Sequence, residues 1–536
     1  MSTAVAAPPV NSYDKVPYPS HPFMQTHPDH LATIATMFGL KPVSARHCRV
    51  LELGCASGGN LIPMALSFPE SEFVGVDLSA RQVADGHKLI ELLGIKNIQL
   101  KAMSITDVDE SFGKFDYILC HGVYSWVPDF VRDKILQINH DNLSENGVGY
   151  ISYNTFPGWH MRGMIRDMMC YHISRFTEKD PQTQVAQART LLDFLAKSVR
   201  QNDKNPYGLL LKQELELLQR QPDSYLYHEH LEENNEPLYF YEFYQAAVAK
   251  GLRYLGEADF SVMLPSHFPA EVQKVLHVIA PNQIQMEQYL DFLRNRTFRQ
   301  TLLCHEHQKP NYNIKPDVVT KFHVASPVKP KTTPVDIASA QPVEFKAPNE
   351  MTVNTPDPIV KSALMCLSEA WPRAIPFEEL RKMARARVNS VPPDSPEVVQ
   401  KDTEALCRAF LTAFAGASNS LIELWQNPPA FAVSVSDKPM ASPLARLQAQ
   451  SSTQVTNLRH QPVNITEFDR QLLPLLDGTH DRASLIYHIM KKFKKGDLTV
   501  AQNNVRITDE VRAQEILGQT LDNQLPKIAQ AALLQG

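Results

Sequence analysis

Short apolar runs and longer amphipathic stretches alternate between residues 47 and 159. RVLELG (49–54) is an apolar run closed by glycine, and EFVGVDL (72–78) follows it across the helix-like NLIPMALSF. NIQLKAM (97–103), FDYILCHG (115–122) and GVGYISYN (147–154) extend the series, with helical patterns at 80–93 and 128–142 between them. Strands separated by helices in this rhythm predict an α/β unit on a parallel sheet, of the Rossmann-like type. Further on the period changes. ARTLLDFLAKSV and LLLKQELELLQ predict a helical insertion within 160–235; a helix ending at Gly251 and the strand-like LRYLGEAD then resume the core.

The two ends read differently. Residues 1–46 form a proline-rich strap (Pro8, Pro9, Pro17, Pro19, Pro22) leading into HLATIATMFGL, with Asp29 as N-cap and Gly39 as stop. Residues 311–350 hold six prolines and no glycine, which predicts a semi-extended linker. From 351 onward the chain is mostly helical. The strand-like LIELW and FAVSVS around Pro428 and Pro429 then give it winged-helix character, and FDRQLLPLLDGTHDRASLIYHIMKKF forms a second small unit. The expected division is a strap and helix at 1–46, a core at 47–159, an insertion with the rest of the core at 160–310, the linker at 311–350 and a C-terminal domain at 351–536.

Composition narrows the function classes. The 536 residues carry 53 Lys and Arg against 58 Asp and Glu, a net charge of -5, which argues against a dedicated nucleic-acid binder. The basic runs RKMARAR (381–387) and KKFKK (491–495) read as solvated helix faces. The seven cysteines form no C-x-x-C pair, so neither a disulfide framework nor a zinc ribbon is expected. CHEH (304–307) and HEH (228–230) do not match H-E-x-x-H; they read as solvated polar turns, and no metal is expected. The N-terminal stretch lacks the basic start and apolar core of a signal peptide, and no apolar run is long enough to span a bilayer, so the expectation is a cytoplasmic protein with no membrane insertion.

The candidate chemistry starts at LELGCASGGN (51–60), a strand leading through a glycine loop into a helix, where backbone N–H groups can face a ligand. A dinucleotide fingerprint needs G-x-G-x-x-G, and here the corresponding positions are Gly54, Ala56 and Gly59, so the middle glycine is missing. An S-adenosylmethionine site instead needs an acidic strand residue, close backbone at the amino-acid part and an acid for the ribose hydroxyls. Glu52, Gly54 and Gly58 supply the first two, with Cys55 between them; Asp77, followed by Leu78, supplies the third. The competing reading is a glycine turn that only lets helix pack on strand. After the third strand, MSITD (103–107) brings Ser104 and the backbone of Ile105 toward the same cofactor site. HGVYSWVP (121–128) and YNTFPGWH (153–160) follow the fourth and fifth strands, at the edge where ligands of open α/β sheets collect. There His121 and Gly122 would approach the cofactor. Trp126 and Trp159 offer aromatic faces to a cation, and Tyr124, Tyr153, Asn154 and His160 are candidates to orient the acceptor amine or its departing proton. Core packing is the alternative for Tyr124 and Trp126.

With these segments in place, the chain resembles the class I S-adenosylmethionine-dependent methyltransferases that carry a methyltransferase regulatory domain, and most of all the rickettsial-type bacterial protein-lysine methyltransferases. The resemblance also rests on YHEHLEENNEPLYFYEF (227–243), PLARLQA (443–449), VTNLRH (455–460) and LLDGTHDRASL (475–485), and so covers nearly the whole chain. It implies a Rossmann-like cofactor core, a helical middle region, a winged-helix C-terminal domain, S-adenosylmethionine as cofactor and protein lysine as substrate. It also implies an N-terminal strap in which Tyr18 and Ser20 close over the cofactor. A homodimer stays open. The alternatives are a methyltransferase-like scaffold without transfer activity and a small-molecule methyltransferase.

Overall fold

The carboxyl ends of five parallel strands line up along one edge of the central sheet, and that edge organises the molecule. The computed structural model describes Val16 and residues 20–177, 180–199, 204–388, 395–502 and 505–536. Strands β1 (Arg49–Leu53), β2 (Glu72–Asp77), β3 (Ile98–Ala102), β4 (Phe115–Cys120) and β5 (Leu143–Asn154) pair in parallel. β6 (Leu252–Glu257) and β7 (Phe298–His305) complete a seven-stranded sheet of order β3-β2-β1-β4-β5-β7-β6, with β7 antiparallel to both neighbours. The helix α1 (Pro28–Met37), α2 (Leu61–Ser67) and α3 (Ala80–Leu93) cover the early strands. Ser79 caps α3 by accepting from the Gln82 amide, and Gly94 ends it in left-handed geometry. α4 (Asp129–Asp141) connects β4 to β5.

β7 departs from the sequence expectation, because CHEH was read as a solvated turn. His305 and the buried Cys304 instead close a strand wedged between β5 and β6. The strand hides from a hydropathy pattern because one of its inward positions is charged. Arg299 is fully buried and donates to Glu257 (2.6 Å), Asp291 (2.8 Å) and Glu287 (3.1 Å), which together satisfy a charge that burial alone would forbid.

The insertion forms α5 (Gly158–Ser174), α6 (Pro181–Ser198) and α7 (Pro206–Gln219). Asp180 and Asn205 cap the latter two, each followed by proline at the first helical position, where its missing N–H costs nothing. Their apolar faces meet at Ile165, Met169, Ala188, Leu192, Leu211 and Leu218 in a small core of their own.

Asp29 is not the N-cap of α1. His27 takes that position, and the buried Asp29 carboxylate accepts from the amides of Gln426 (3.0 Å) and Asn427 (2.7 Å), capping a segment four hundred residues away in the chain. Nor is the stretch 311–350 a solvated spacer. It carries a 3-10 turn (Pro316–Lys321) and a strand (His323–Ala325) paired with Ile375–Pro376 and Glu423–Trp425. Val319, Phe322, Val324 and Phe345 are buried in the same core as the sheet. Its prolines sit at strand ends and turns, where no ladder hydrogen bond is lost. FAVSVS (431–436) forms no strand. Residues from Ala441 to Leu534 close around a second core through the helices Pro443–Gln448, Arg482–Lys495 and Glu510–Gln530. Among the described residues no helix is long and apolar enough to cross a membrane.

Candidate functional site

Two loops at the tips of β1 and β2 build one half of the site. Gly54 and Gly58 both adopt positive φ (79° and 77°), and a Cβ on Gly54 would come 2.5 Å from Val123 of the loop after β4. Only glycine allows the two loops to close up there. Asp77 ends β2. Its carboxylate accepts from the Ala56 amide (2.8 Å) and the Ser79 amide (2.8 Å), tying the glycine loop to the start of α3. The strap closes over the same loop: the Gly59 amide donates to Ser20 Oγ (2.8 Å), and the Phe23 amide to Asn60 Oδ1 (2.9 Å).

Glu52, on β1 beneath this loop, is buried. Asn60 Nδ2 donates to its Oε1 (2.8 Å), whereas Oε2 has no hydrogen-bond partner among the described residues. Burial pushes its carboxyl up to about 7, against the pull of Asn60 and with a further push from Asp77. An unpartnered buried carboxylate oxygen on a residue that lines a cavity is the feature expected of an acid that receives a ligand's donor. His121, after β4, lies with its ring 4.0 Å from that of Phe23, and its Nδ1 shares a 2.8 Å hydrogen bond with Tyr150 Oη. Burial lowers its pKa to about 4, so the ring is neutral at physiological pH. Gly122 has φ +67°, its amide donates to Ser152 Oγ (2.7 Å), and a Cβ there would enter open space.

These groups line one wall of a cavity of about 840 Å³. Trp126 and Trp159 also line it, edge to face at 6.4 Å, with the Arg162 guanidinium 5.3 Å from the Trp159 ring. Another part of the wall comes from a π-helical turn, Tyr227–Leu231, and the residues after it: His228, Glu229, Glu232 and Glu233. Such turns are frequent at functional sites because they break the regular helical spacing. His228 donates from Nε2 to the Val16 carbonyl (2.8 Å), so the strap is fastened to this wall as well. Burial raises the Glu229 carboxyl to about 7, with Arg162 and His228 opposing it.

Thirteen of the residues singled out in the sequence meet at this cavity: Ser20, Glu52, Gly54, Cys55, Asp77, Leu78, Ser104, Ile105, His121, Gly122, Trp126, Asn154 and Trp159. Gly58 lies behind the loop against Leu100 and Ile62. Ser104 is engaged locally, accepting from the Thr106 amide at 3.2 Å. Tyr18 lies outside the described residues.

Three residues expected at the chemistry do not line the cavity. Tyr153 is buried, stacked on Phe243 at 4.2 Å and hydrogen-bonded to Thr301 Oγ1 (3.1 Å); Tyr124 packs edge-on against Phe243 at 5.3 Å. Both belong to the core on one side of the sheet, because neighbours on a strand point to opposite faces and Asn154 takes the cavity side. His160 stacks on Phe156 (4.0 Å) and bonds Tyr239 Oη (3.1 Å). Tyr153→Phe is therefore expected to cost about 1 kcal/mol of stability through the lost hydrogen bond, seen in denaturant unfolding, and to leave kcat within about twofold of the parent.

Sequence reasoning missed Arg162 and the whole acidic wall. The signal was present in YHEHLEENNEP, where four acids and two histidines fall within ten residues, but the histidines were read as solvated, whereas His228 and His230 are buried. Among the described residues no group of three His, Cys, Asp or Glu side chains is placed to hold a metal.

Comparison with known proteins agrees with this geometry. Residues 44–214 match a family model described as "Methyltransferase domain", 222–305 one described as "Predicted methyltransferase regulatory domain", and 437–533 one described as "PKMT, C-terminal winged helix domain". An uncharacterized protein of Rickettsia prowazekii (strain Madrid E) is 39% identical over 98% of this chain and 94% of its own length. PKMT2 from Rickettsia typhi, solved in complex with AdoHcy, is 33% identical, with a TM-score of 0.86 over 97% of this chain and 100% of that one. Ribosomal RNA small subunit methyltransferase G of Flavobacterium psychrophilum is 32% identical over 105 residues, 19% of this chain and 48% of its own.

Proposed function

The chain belongs to the class I S-adenosylmethionine-dependent methyltransferases that join a methyltransferase regulatory domain to a PKMT-type winged helix, its cofactor is S-adenosylmethionine, and we propose that its substrate is the lysine side chain of a protein. When bound, the cofactor supplies an activated methyl group for direct in-line displacement.

The residues of this chain then have three tasks. On our reading Asp77 accepts from the ribose hydroxyls, the free Oε2 of Glu52 accepts from the amino group of the methionine part, and the open space at Gly122 admits the ligand against the backbone. The second task is to receive a cation. The aromatic faces of Trp126 and Trp159 suit an alkylammonium, and the acids at 229, 232 and 233 attract it. The third is to remove its proton, since only the neutral amine has the lone pair that attacks. Glu229, titrating near 7 inside the cavity, is suited to take that proton, and Asn154 is placed to orient the nitrogen.

The observation that carries the lysine reading is this aromatic cavity with a buried carboxyl in its wall. A polyanionic RNA would be repelled by the three acids in the cavity wall, whereas an alkylammonium is attracted by them and a neutral hydroxyl is not. The PKMT name of the Rickettsia typhi relative points the same way. The test is incubation of the protein with isotopically methyl-labelled cofactor and a bacterial lysate, followed by acid hydrolysis and amino-acid analysis. Label recovered as methyl-lysine is the expected result. Label confined to RNA or to the small-molecule fraction, or none transferred, refutes the assignment.

A further inference from the structure

The segment VTNLRH (455–460), about four hundred residues beyond the strap in the sequence, ends beside the cofactor cradle. It forms a turn between the short strands Gln454–Thr456 and Pro462–Asn464, stapled by Asn457 Oδ1, which accepts from the amides of Arg459 and Gln461 at 2.9 Å each. Arg459 anchors the turn to the rest of the molecule: its guanidinium donates to both oxygens of the buried Glu423 (2.5 and 2.6 Å) and lies 4.4 Å from the Trp371 ring. The next residue, His460, is buried and adopts φ +59°, a left-handed conformation that a non-glycine residue holds only when its surroundings require it. What it reaches is Asn60, the last residue of the glycine loop, at 2.8 Å.

The donors and acceptors along His460, Asn60 and Glu52 follow from their partners. The Phe23 amide can only donate, so the Asn60 atom it meets is the carbonyl oxygen, and Nδ2 must be the atom facing Glu52. His460 Nε2 meets the same carbonyl oxygen and is therefore protonated, leaving Nδ1 as a bare lone pair, which has no partner among the described residues. Burial and the neighbouring His27 ring (5.2 Å away) hold His460 neutral, in keeping with that single tautomer. The result is a continuous path: His460 donates to Asn60, Asn60 donates to Glu52 Oε1, and Glu52, whose Oε2 has no partner among the described residues, lines the cavity.

We propose that His460 is a positioning residue for the cofactor, acting across the contact between the C-terminal unit and the core: it orients Asn60, which orients Glu52, so that cofactor affinity depends on the docking of the 454–464 hairpin. This rests on Glu52 being a cofactor residue, and the experiment keeps the two ideas apart. Binding of S-adenosylmethionine is measured by calorimetry on the full chain. His460→Leu removes the donor and is expected to raise Kd about tenfold, while kcat at saturating cofactor stays near the parent value. His460→Gln, which restores an N–H donor, is expected to recover most of the affinity. In an Asn60→Ala background His460→Leu is expected to have no further effect, because the path is already cut. If His460→Leu does not fold, His460→Met fills the same space without a donor and carries the same expectation. Parental affinity in the donor-less variant, or effects of the two sites that simply multiply, overturns the proposal. If Glu52→Gln weakens binding and His460→Leu does not, the relay falls and Glu52 stands; if neither weakens it, both fall.

Discussion

Asp77→Ala is expected to abolish measurable binding of S-adenosylmethionine, a loss of at least about a hundredfold in affinity. The carboxylate does two things at once. It accepts from Ala56 and Ser79, each at 2.8 Å, which holds the glycine loop in register with the start of α3. It also stands at the tip of β2, where we propose that it receives the ribose hydroxyls. Hydrogen bonds to a charged acceptor contribute about 1.5–3 kcal/mol each, so losing two that shape the loop, together with those to the ligand, exceeds the roughly 2.8 kcal/mol that a hundredfold requires. Ala56 adds to the effect. It sits at φ +49°, an unfavourable conformation for alanine that the bond to Asp77 helps maintain. Asp77→Asn keeps one acceptor oxygen but turns an NH₂ toward a backbone N–H, so its affinity is expected between parent and alanine variant. Calorimetric titration decides the matter, and an alanine variant that binds like the parent removes Asp77 from the cofactor site.

The second large effect concerns Glu229. Glu229→Gln is expected to lower kcat about 10²- to 10³-fold with little change in cofactor affinity, since the residue belongs to the π-helical turn Tyr227–Leu231 and not to the glycine loop. The pH profile carries the sharper test. Burial raises the Glu229 carboxyl to about 7, so below that pH it already holds a proton and cannot take another from the incoming ammonium. At saturating cofactor, kcat of the parent should therefore fall as pH drops through about 7, and the limb should vanish in the glutamine variant, which does not titrate. Glu52 is also raised to about 7, but in the cofactor role proposed for it its titration is expected in the KM for S-adenosylmethionine rather than in kcat at saturation. A Glu229→Gln enzyme with parental kcat and an unchanged acidic limb would eliminate the residue as proton acceptor.

The parts of this protein that were legible in its sequence are those whose geometry is set within a few residues. The strand-loop-helix unit from Arg49 to Ser67 announces itself because glycine at 54 and 58 is required by positive φ, and the acids at 52 and 77 sit on apolar strands where a charge has no other purpose than a ligand or a partner. Five parallel strands and the helices between them follow from apolar runs alternating with a helical period, which the sheet rewards locally. Even there the register was short: β5 begins at Leu143, four residues before its apolar run shows, because its exposed start is polar.

What only the tertiary structure decided are the contacts whose partners lie far apart in the chain. β7 is invisible as a strand until Glu257, Glu287 and Asp291 are brought around Arg299 to neutralise it. Tyr153 and Asn154 are adjacent and equally polar in the sequence, yet the pleat of β5 sends one into the core beside Phe243 and the other into the cavity. Glu229 reaches the cavity because three inserted helices fold back over the sheet edge, and His460 reaches Asn60 because Arg459 finds Glu423. Local sequence specifies backbone conformation through sterics and short-range hydrogen bonds, but the side on which a side chain is buried, and the pKa that burial imposes, exist only once distant segments have packed against it.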